Sequence, residues 1–240
     1  MMVIYIAGLQ NGPGELMEAA AIDGVDWLRV LYCYPDETDD RLLDVIAGTP
    51  NICKYLDLPI QHVNDTVLRR MHRRGNKADI LRCIKGARER GLTLRTSIIV
   101  GFPGETEEQF QELLDVLGEA EFDRLGAFTY SPEEDTPAAR MPDQIPEEIA
   151  LERVRLLTQL QDDIMHEFDL DRLGSHIKVL CEGYDESLRM YFGRSYADSP
   201  GVDEQIFFSS SEEVAPGQFV TILAEDLVDD QIHGVAVWEE

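Results

Sequence analysis

The 240-residue chain has little positive charge, few cysteines and no long apolar run. Only 21 Lys and Arg offset 47 Asp and Glu, leaving a formal net charge of −26. Surface of that sign is repelled at long range by the phosphates of nucleic acid. It is drawn toward basic proteins, or serves to keep the chain in solution. No stretch approaches the roughly 20 apolar residues that cross a bilayer, so no membrane partner is expected. The N-terminal MMVIYIAGLQNGPGE has neither a basic start nor an extended apolar segment before a cleavage site. It reads as strand and turn, which predicts a cytoplasmic location. The four cysteines, Cys33, Cys53, Cys83 and Cys181, are separated by 20, 30 and 98 residues. Zinc and iron–sulfur sites need much tighter groupings, and without a secretory signal disulfides are not expected. Free thiols packed like small hydrophobes follow, with no metal-ligand set assigned.

Apolar residues make up 44% of the chain, enough for one large domain or two unequal ones. In the first two-thirds, short apolar runs alternate with amphipathic stretches. Val3–Ala7, Trp27–Tyr32, Lys54–Pro59, Leu94–Val100 and Phe122–Tyr130 are strand candidates. Helices are expected from about Thr38 to Ala47, from Asp65 to Arg90, and from Glu147 to Phe168. Another opens at Thr106, where Gln109 completes a capping box and Glu107 and Glu108 suit the positive end of the helix dipole. Phe110, Leu113, Leu114 and Leu117 then form one apolar stripe, with Gly118 as a plausible stop. Strands separated by helices of this length are parallel and joined by crossovers. Beyond residue 168 the pattern changes to five short alternating runs with turns at Glu182-Gly183, Ser199-Pro200-Gly201 and Pro216-Gly217. The expected organisation is an α/β domain over residues 1–168 and a small all-β barrel over residues 169–240.

In parallel α/β architectures, functional groups gather at the C-terminal ends of strands. Three loops qualify: Asp57–His62, Gly101–Glu105 and Thr129–Ser131. Gly101 and Gly104 permit close approach of backbone to a ligand, though such a glycine–proline turn also serves simply as a turn. His62 could bind a ligand, move a proton or sit as a hydrogen-bonded wall residue. The run Arg69-Arg70-Met71-His72-Arg73-Arg74-Gly75-Asn76-Lys77 suits a phosphate or carboxylate, or else offsets a helix dipole. Residues 51–100 carry eleven Lys and Arg against four Asp and Glu, so this cluster is an exception in the chain. No hydrolytic triad, P-loop or Rossmann fingerprint is present. These residues alone assign no catalytic group.

Read together, LYCYPDETDD, KYLDLPIQHVNDTVLRRMHRRG, LRTSIIVGFPGETEEQF, FDRLGAFTYSPEEDTPAARMPDQIP and YFGRSYADSPGVD resemble the RimO family of radical-SAM methylthiotransferases. The likeness runs from about residue 22 to the C-terminus. It implies a partial (β/α) radical-SAM TIM-like barrel followed by a TRAM barrel. It also implies S-adenosylmethionine-dependent methylthiolation of an aspartate in the twelfth small-subunit ribosomal protein, a basic partner. The tRNA-modifying sister family, MiaB, shares the LPIQ and GFPGET themes and is an alternative. The wording of the FDRLGAFTYSPEEDTPAARM and GRSYADSPGVD segments favours RimO. Charge agrees: residues 169–240 hold four Lys and Arg against sixteen Asp and Glu, a poor surface for nucleic acid and a good one for a ribosomal protein.

The resemblance implies that Gln61, Ser97, Val100, Gly101, Phe102 and Tyr130 line the S-adenosylmethionine pocket, with the Val100–Phe102 backbone facing the adenine. The family's cofactors are S-adenosylmethionine and 4Fe–4S clusters, the first cluster held by a C-x-x-x-C-x-x-C loop. No such spacing occurs here, and the family's N-terminal methylthiotransferase domain has no counterpart. Residues 3–8 resemble the second barrel strand, but LQNGPGEL replaces the polar stretch that should follow. The expectation is an N-terminally truncated member, inactive alone, or a non-catalytic remnant that binds the ribosomal protein. Val3–Ala7 would then be an exposed barrel edge inviting self-association.

Overall fold

The second strand explains the layering. In β2 (Val25–Leu31), Leu28 and Val30 are fully buried on one face, while Trp27 and Arg29 are buried on the other. A strand buried on both faces needs a layer on each side. The structure, a computed structural model, describes residues 2–7 and 13–238, with backbone alone for residues 2–7, 13 and 15. Asn11 and Gly12 of the expected first turn lie outside the described residues.

The alternating pattern forms β1 (Met2–Ala7), α1 (Pro13–Ala20), β2, α2 (Asp40–Gly48), β3 (Tyr55–Asp57), α3 (Asp65–Arg70), α4 (Lys77–Arg88), β4 (Thr93–Val100), α5 (Glu107–Ala120), β5 (Arg124–Thr129) and α6 (Glu147–Asp171). β1 pairs with β2 and β3–β4–β5 form a second sheet, all in parallel. The Leu28–Ile52 bridge and the bond from Cys53 N to Leu28 O join the two into one order, β1-β2-β3-β4-β5. This is a partial (β/α) barrel. Its convex face buries Leu28, Val30, Leu56, Leu94, Ile98 and Val100 against the helices. Side chains on the free edge of β1 lie outside what is described.

Several sequence expectations shift. Pro13–Glu15 begins α1 instead of ending a turn, because proline is well suited to the first helical position. The helix expected from Asp65 to Arg90 is two helices. Asn76 forms a capping box with Asp79, and the chain turns at His72 (φ 54) and Gly75 (φ 80) between them. Gly118 does not stop α5, which ends at Glu121 in a left-handed conformation (φ 48). The Thr106–Gln109 capping box is present as expected.

The C-terminal strands β6 (His176–Asp185), β7 (Met190–Arg194), β8 (Ile206–Ser209), β9 (Phe219–Val228) and β10 (Gln231–Val237) close into a barrel in the order β10-β8-β7-β6-β9. Ile177, Val179, Cys181, Phe208, Val220 and Ile222 fill it. Glu182-Gly183 is not a turn. The β6–β7 register shifts between Cys181 and Gly183, so the pair sits in a bulge, where a Cβ on Gly183 would meet the Phe192 ring at 2.7 Å.

This barrel covers one end of the concave face of the parallel sheet. Trp27 meets Phe219 edge-on at 4.6 Å, and Leu180 packs with Cys53 and Tyr55. Arg29, wholly buried, lies over the Tyr55 ring at 4.2 Å and donates to Ser195 O. Arg124 pairs with Asp198 at 3.0 Å and Asp169 at 3.4 Å, and Arg95 reaches Asp203 at 3.6 Å and Asp57 at 3.5 Å. Arg172 supports Asp169 at 3.0 Å. The Asp198 carboxyl is held below its ordinary range: burial alone would raise it, but Arg172, Arg124 and the Ser195 donors outweigh that. Glu204 lacks such direct help. Burial pushes it up to about 7, against the pull of Arg124, and its Oε2 finds no hydrogen-bond partner among the described residues.

A carboxyl that binds its proton more tightly folded than unfolded stabilises the fold fully below its ordinary value of 4.5. That contribution disappears as the pH rises through about 7. Thermal stability is therefore expected to fall from about pH 4.5 to about pH 7, and Glu204→Gln should flatten the fall. Melting curves across that range test it; an unchanged slope in the variant removes Glu204 as the cause.

Candidate functional site

The opposite end of the concave face is open. There a cleft of about 520 Å³ is lined by residues that include Gln61, Met71, Ser97, Phe102, Phe128 and Tyr130. A second cleft of about 590 Å³ shares Thr129, Tyr130 and Ser131 with it and extends past Gly101 to Gln144, Glu147 and Ala150. Both sizes lie in the range of small-molecule sites.

Local geometry places each group. Gln61 adopts φ 64 and clips onto β4: its N–H donates to Ser97 O and its carbonyl accepts from Ile99 N, each at 2.9 Å. Ser97 and Ile99 follow the strand's alternation and face the cleft, while Ile98 and Val100 go to the helix-side core. Val100 thus lines neither cleft with its side chain, and its carbonyl accepts from Tyr130 N at 2.8 Å. Gly101, φ 74, turns the chain where a Cβ would stand 2.6 Å from that of Ala150. Phe102 and Tyr130 meet edge-on at 5.1 Å and form an aromatic wall. The Tyr130 hydroxyl is buried with no hydrogen-bond partner among the described residues. Five of the six sequence-derived candidates therefore border the two clefts: Gln61, Ser97, Phe102 and Tyr130 one, Gly101 and Tyr130 the other.

Arg69 and Arg70 of the basic run stand exposed in the last turn of α3, as the helix-end reading has it, and several of its arginines also hold loop groups. Arg70 donates to Pro103 O (3.4 Å) and Gly104 O (2.7 Å), and Arg73 to Pro59 O (2.6 Å). Arg73 also lies over the Tyr34 ring at 4.9 Å, and Arg74 pairs with Glu37. These guanidinium groups clamp the loops at the rim. Met71 and Phe128 were missed by sequence reasoning. Phe128 sits at an inward position of β5 and is 55% exposed, so strand alternation carried a signal for it. Met71, at the C-terminal cap of α3, carried none.

His62 is fully buried and borders neither cleft. Its Nδ1 accepts from Val63 N (3.0 Å) and Asn64 N (2.9 Å), so the neutral ring carries its proton on Nε2, 3.5 Å from Glu105 Oε1. Glu105 is buried as well and pairs with Arg153 at 3.3 Å.

Residues 9–117 match the radical SAM superfamily and residues 173–237 the TRAM domain. The ribosomal protein uS12 methylthiotransferase RimO of Lachnoclostridium phytofermentans is 41% identical over 235 residues, 97% of this chain and 53% of that protein. Its counterpart from Pelotomaculum thermopropionicum is 47% identical over 219 residues, 90% and 49% respectively. The chain thus spans about half the length of the curated relatives it matches. Among solved structures, coproporphyrinogen III oxidase (HemN) from Escherichia coli, a radical SAM enzyme, superposes with a TM-score of 0.52 at 20% identity, over 65% of this chain and 40% of that one. That likeness speaks to the fold alone. Among the described residues no helix is long and apolar enough to cross a membrane.

The radical SAM superfamily implies S-adenosylmethionine and a 4Fe–4S cluster, and the residues present fit the two unequally. For S-adenosylmethionine there is an open cleft with an aromatic wall and an unsatisfied hydroxyl. For a cluster there is no fit among the described residues. Among the described residues no group of three or more His, Cys, Asp or Glu is placed to hold a metal. The four thiols are buried in four different segments, after β2, before β3, in α4 and in β6. Burial pushes all four above the usual thiol range, Cys83 up to about 11, whereas cluster ligands are thiolates. At pH 8 the native protein is expected to leave all four thiols unmodified by iodoacetamide while the urea-unfolded chain reacts at every one. Intact mass reads the count, and modification of the folded protein would contradict this assignment.

Proposed function

Since the chain is a RimO-type sequence that joins a radical-SAM domain to a TRAM domain, we propose that it contributes the S-adenosylmethionine-binding face and the substrate-docking barrel of a ribosomal protein uS12 methylthiotransferase. The observation that carries this reading is the convergence of Gln61, Ser97, Phe102 and Tyr130 on one cleft at the C-terminal strand ends. Those ends are where parallel α/β barrels place their ligands.

In this reading the Phe102–Tyr130 wall takes the flat adenine ring, and the Tyr130 hydroxyl and Gln61 and Ser97 offer hydrogen bonds to the polar remainder. When bound, S-adenosylmethionine supplies a reactive sulfonium. The contribution of these residues is to orient it and exclude water. No step is assigned to an iron–sulfur cluster, because the described residues do not fit one. The reading places the domain boundary at 168/169, just before the end of α6. The acidic barrel, with four Lys and Arg against sixteen Asp and Glu from residue 169 onward, suits a basic protein better than a phosphate backbone.

Titration calorimetry is expected to show S-adenosylmethionine binding to the 240-residue chain. Loss of aromatic stacking in Phe102→Ala should weaken it by about 1–3 kcal/mol, roughly 5- to 150-fold. Absence of binding to the wild-type chain would refute the cleft assignment. For the barrel, the expected result is salt-sensitive association with purified uS12 and none with tRNA under the same conditions. Preference for tRNA would move the chain toward the MiaB-like alternative.

A further inference from the structure

Where β6 ends, β7 begins and β8 ends, the C-terminal barrel carries a cleft of its own. It measures about 540 Å³ and is lined by residues that include Tyr184, Arg189, Tyr191, Ser210 and Glu213. These residues are not the ones that seat the barrel on the sheet, which are Leu180, Phe219, Ser195, Asp198 and Asp203.

Strand register builds one wall. Tyr184 stands opposite Tyr191, and Tyr191 opposite Phe208, so the three side chains share a face. Tyr184 meets Tyr191 edge-on at 5.0 Å, and Tyr191 stacks on Phe208 at 5.5 Å. The aromatic column thus descends from Tyr184, 44% exposed, to Phe208, fully buried in the barrel core. The other wall is the segment after β8. Val214 N donates to the Tyr191 hydroxyl at 3.3 Å, and Ser210 Oγ accepts from Glu212 N at 3.1 Å while donating to Glu212 O at 2.8 Å. Glu213 is left exposed at the rim, with no ion pair among the described residues. Beside Tyr184, Asp185 accepts from Ser187 N, Ser187 Oγ and Leu188 N, bonds that hold its carboxyl below the usual range.

Aromatic faces carry negative potential and attract ammonium and guanidinium groups. The field around this column has the same sign: residues 182–189 and 209–216 hold five Asp and Glu against one Arg. A nucleobase could also stack on Tyr184, but its phosphates would be repelled here.

We propose that this cleft is a socket for one lysine or arginine side chain of the basic protein that the barrel docks. The aliphatic stem lies against Tyr184 and Tyr191, and the charged head reaches Glu213. The proposal rests on the barrel-docking reading above and adds to it a single anchor point. Arg189, in a left-handed conformation (φ 55) on the same rim, opposes such a guest.

Calorimetric titration of the 240-residue chain with purified uS12 tests this. Tyr184→Ala is expected to weaken binding about fivefold, while Tyr184→Phe, which keeps the ring, binds as wild type. Glu213→Gln should weaken it roughly threefold. Glu225→Gln removes the same charge from an exposed position on β9, outside the cleft, and should change little. Arg189→Gln should tighten binding. Unchanged affinity in Tyr184→Ala overturns this proposal alone. So do equal losses in Glu213→Gln and Glu225→Gln, which mark diffuse charge, and weaker binding in Arg189→Gln, which marks an anionic guest. A wild-type chain that does not bind uS12 overturns the docking reading together with it.

Discussion

Three arginines on the concave face of the parallel sheet, Arg29, Arg95 and Arg124, set the constraint from which the arrangement of the two halves follows. Each lies on a strand whose opposite face is committed to the helix-side core, so none can turn away. A guanidinium cannot shed its proton, and burying one without compensating contacts is costly. For Arg124 the compensation comes from beyond the sheet, from Asp169 near the end of α6 and Asp198 between β7 and β8; Arg95 has Asp203 from that same segment and Asp57 of β3, and Arg29 meets the Tyr55 ring and Ser195 O. The acidic character of the C-terminal barrel is thus partly internal. Some of the carboxylates counted as surface charge are spent on docking, and the others face solvent. With the barrel seated over one end of the concave face, ligand access is left at the other.

Legibility in the sequence followed the range of the forces involved. Period-2 and helical patterns are local, and β2, β4, β5, α5 and the five barrel strands fall close to where alternation and capping put them. The failures share a cause. Pro13 was read as part of a turn although it suits the first helical position. Gly118 was read as a stop although one glycine costs a helix only about 1 kcal/mol. Gly183 was read as a turn although a bulge over Phe192 uses the same missing side chain. In each case the residue type was informative, and the neighbouring contact that decides its meaning came from elsewhere in the chain.

The same division holds at the candidate site. Gln61, Ser97, Gly101, Phe102 and Tyr130 could be placed from motif and strand-end position, because a strand's C-terminal end is a place in the sequence as well as in space. The group behind them could not. Glu105 stood at the end of a candidate loop with no role of its own, His62 had three possible roles, and Arg153 lay within the Glu147–Phe168 helix without being singled out. Their association joins positions 43 to 48 residues apart across three elements. Nothing in the composition announces it. The basic run at 69–77 supplies the end of α3, and the carbonyls that Arg70 and Arg73 hold in neighbouring loops were not legible from charge alone.

The buried carboxylates of the molecule show how one side-chain type serves opposite ends of a domain. Asp198 stays ionised because two arginines and Ser195 meet it, and it ties the barrel to the sheet. Glu204, in the same region but without a direct partner for Oε2, favours its proton to about pH 7. Glu105 has two backbone amides and an arginine converging on it, and it holds a loop at the open end. What differs is the number of donors each meets once water is removed. Asp198, met by several donors, keeps its charge, and Glu204, met by few, titrates near neutrality. The open end is therefore stiffened by ionic contacts, while the docked end includes a carboxyl that responds to pH.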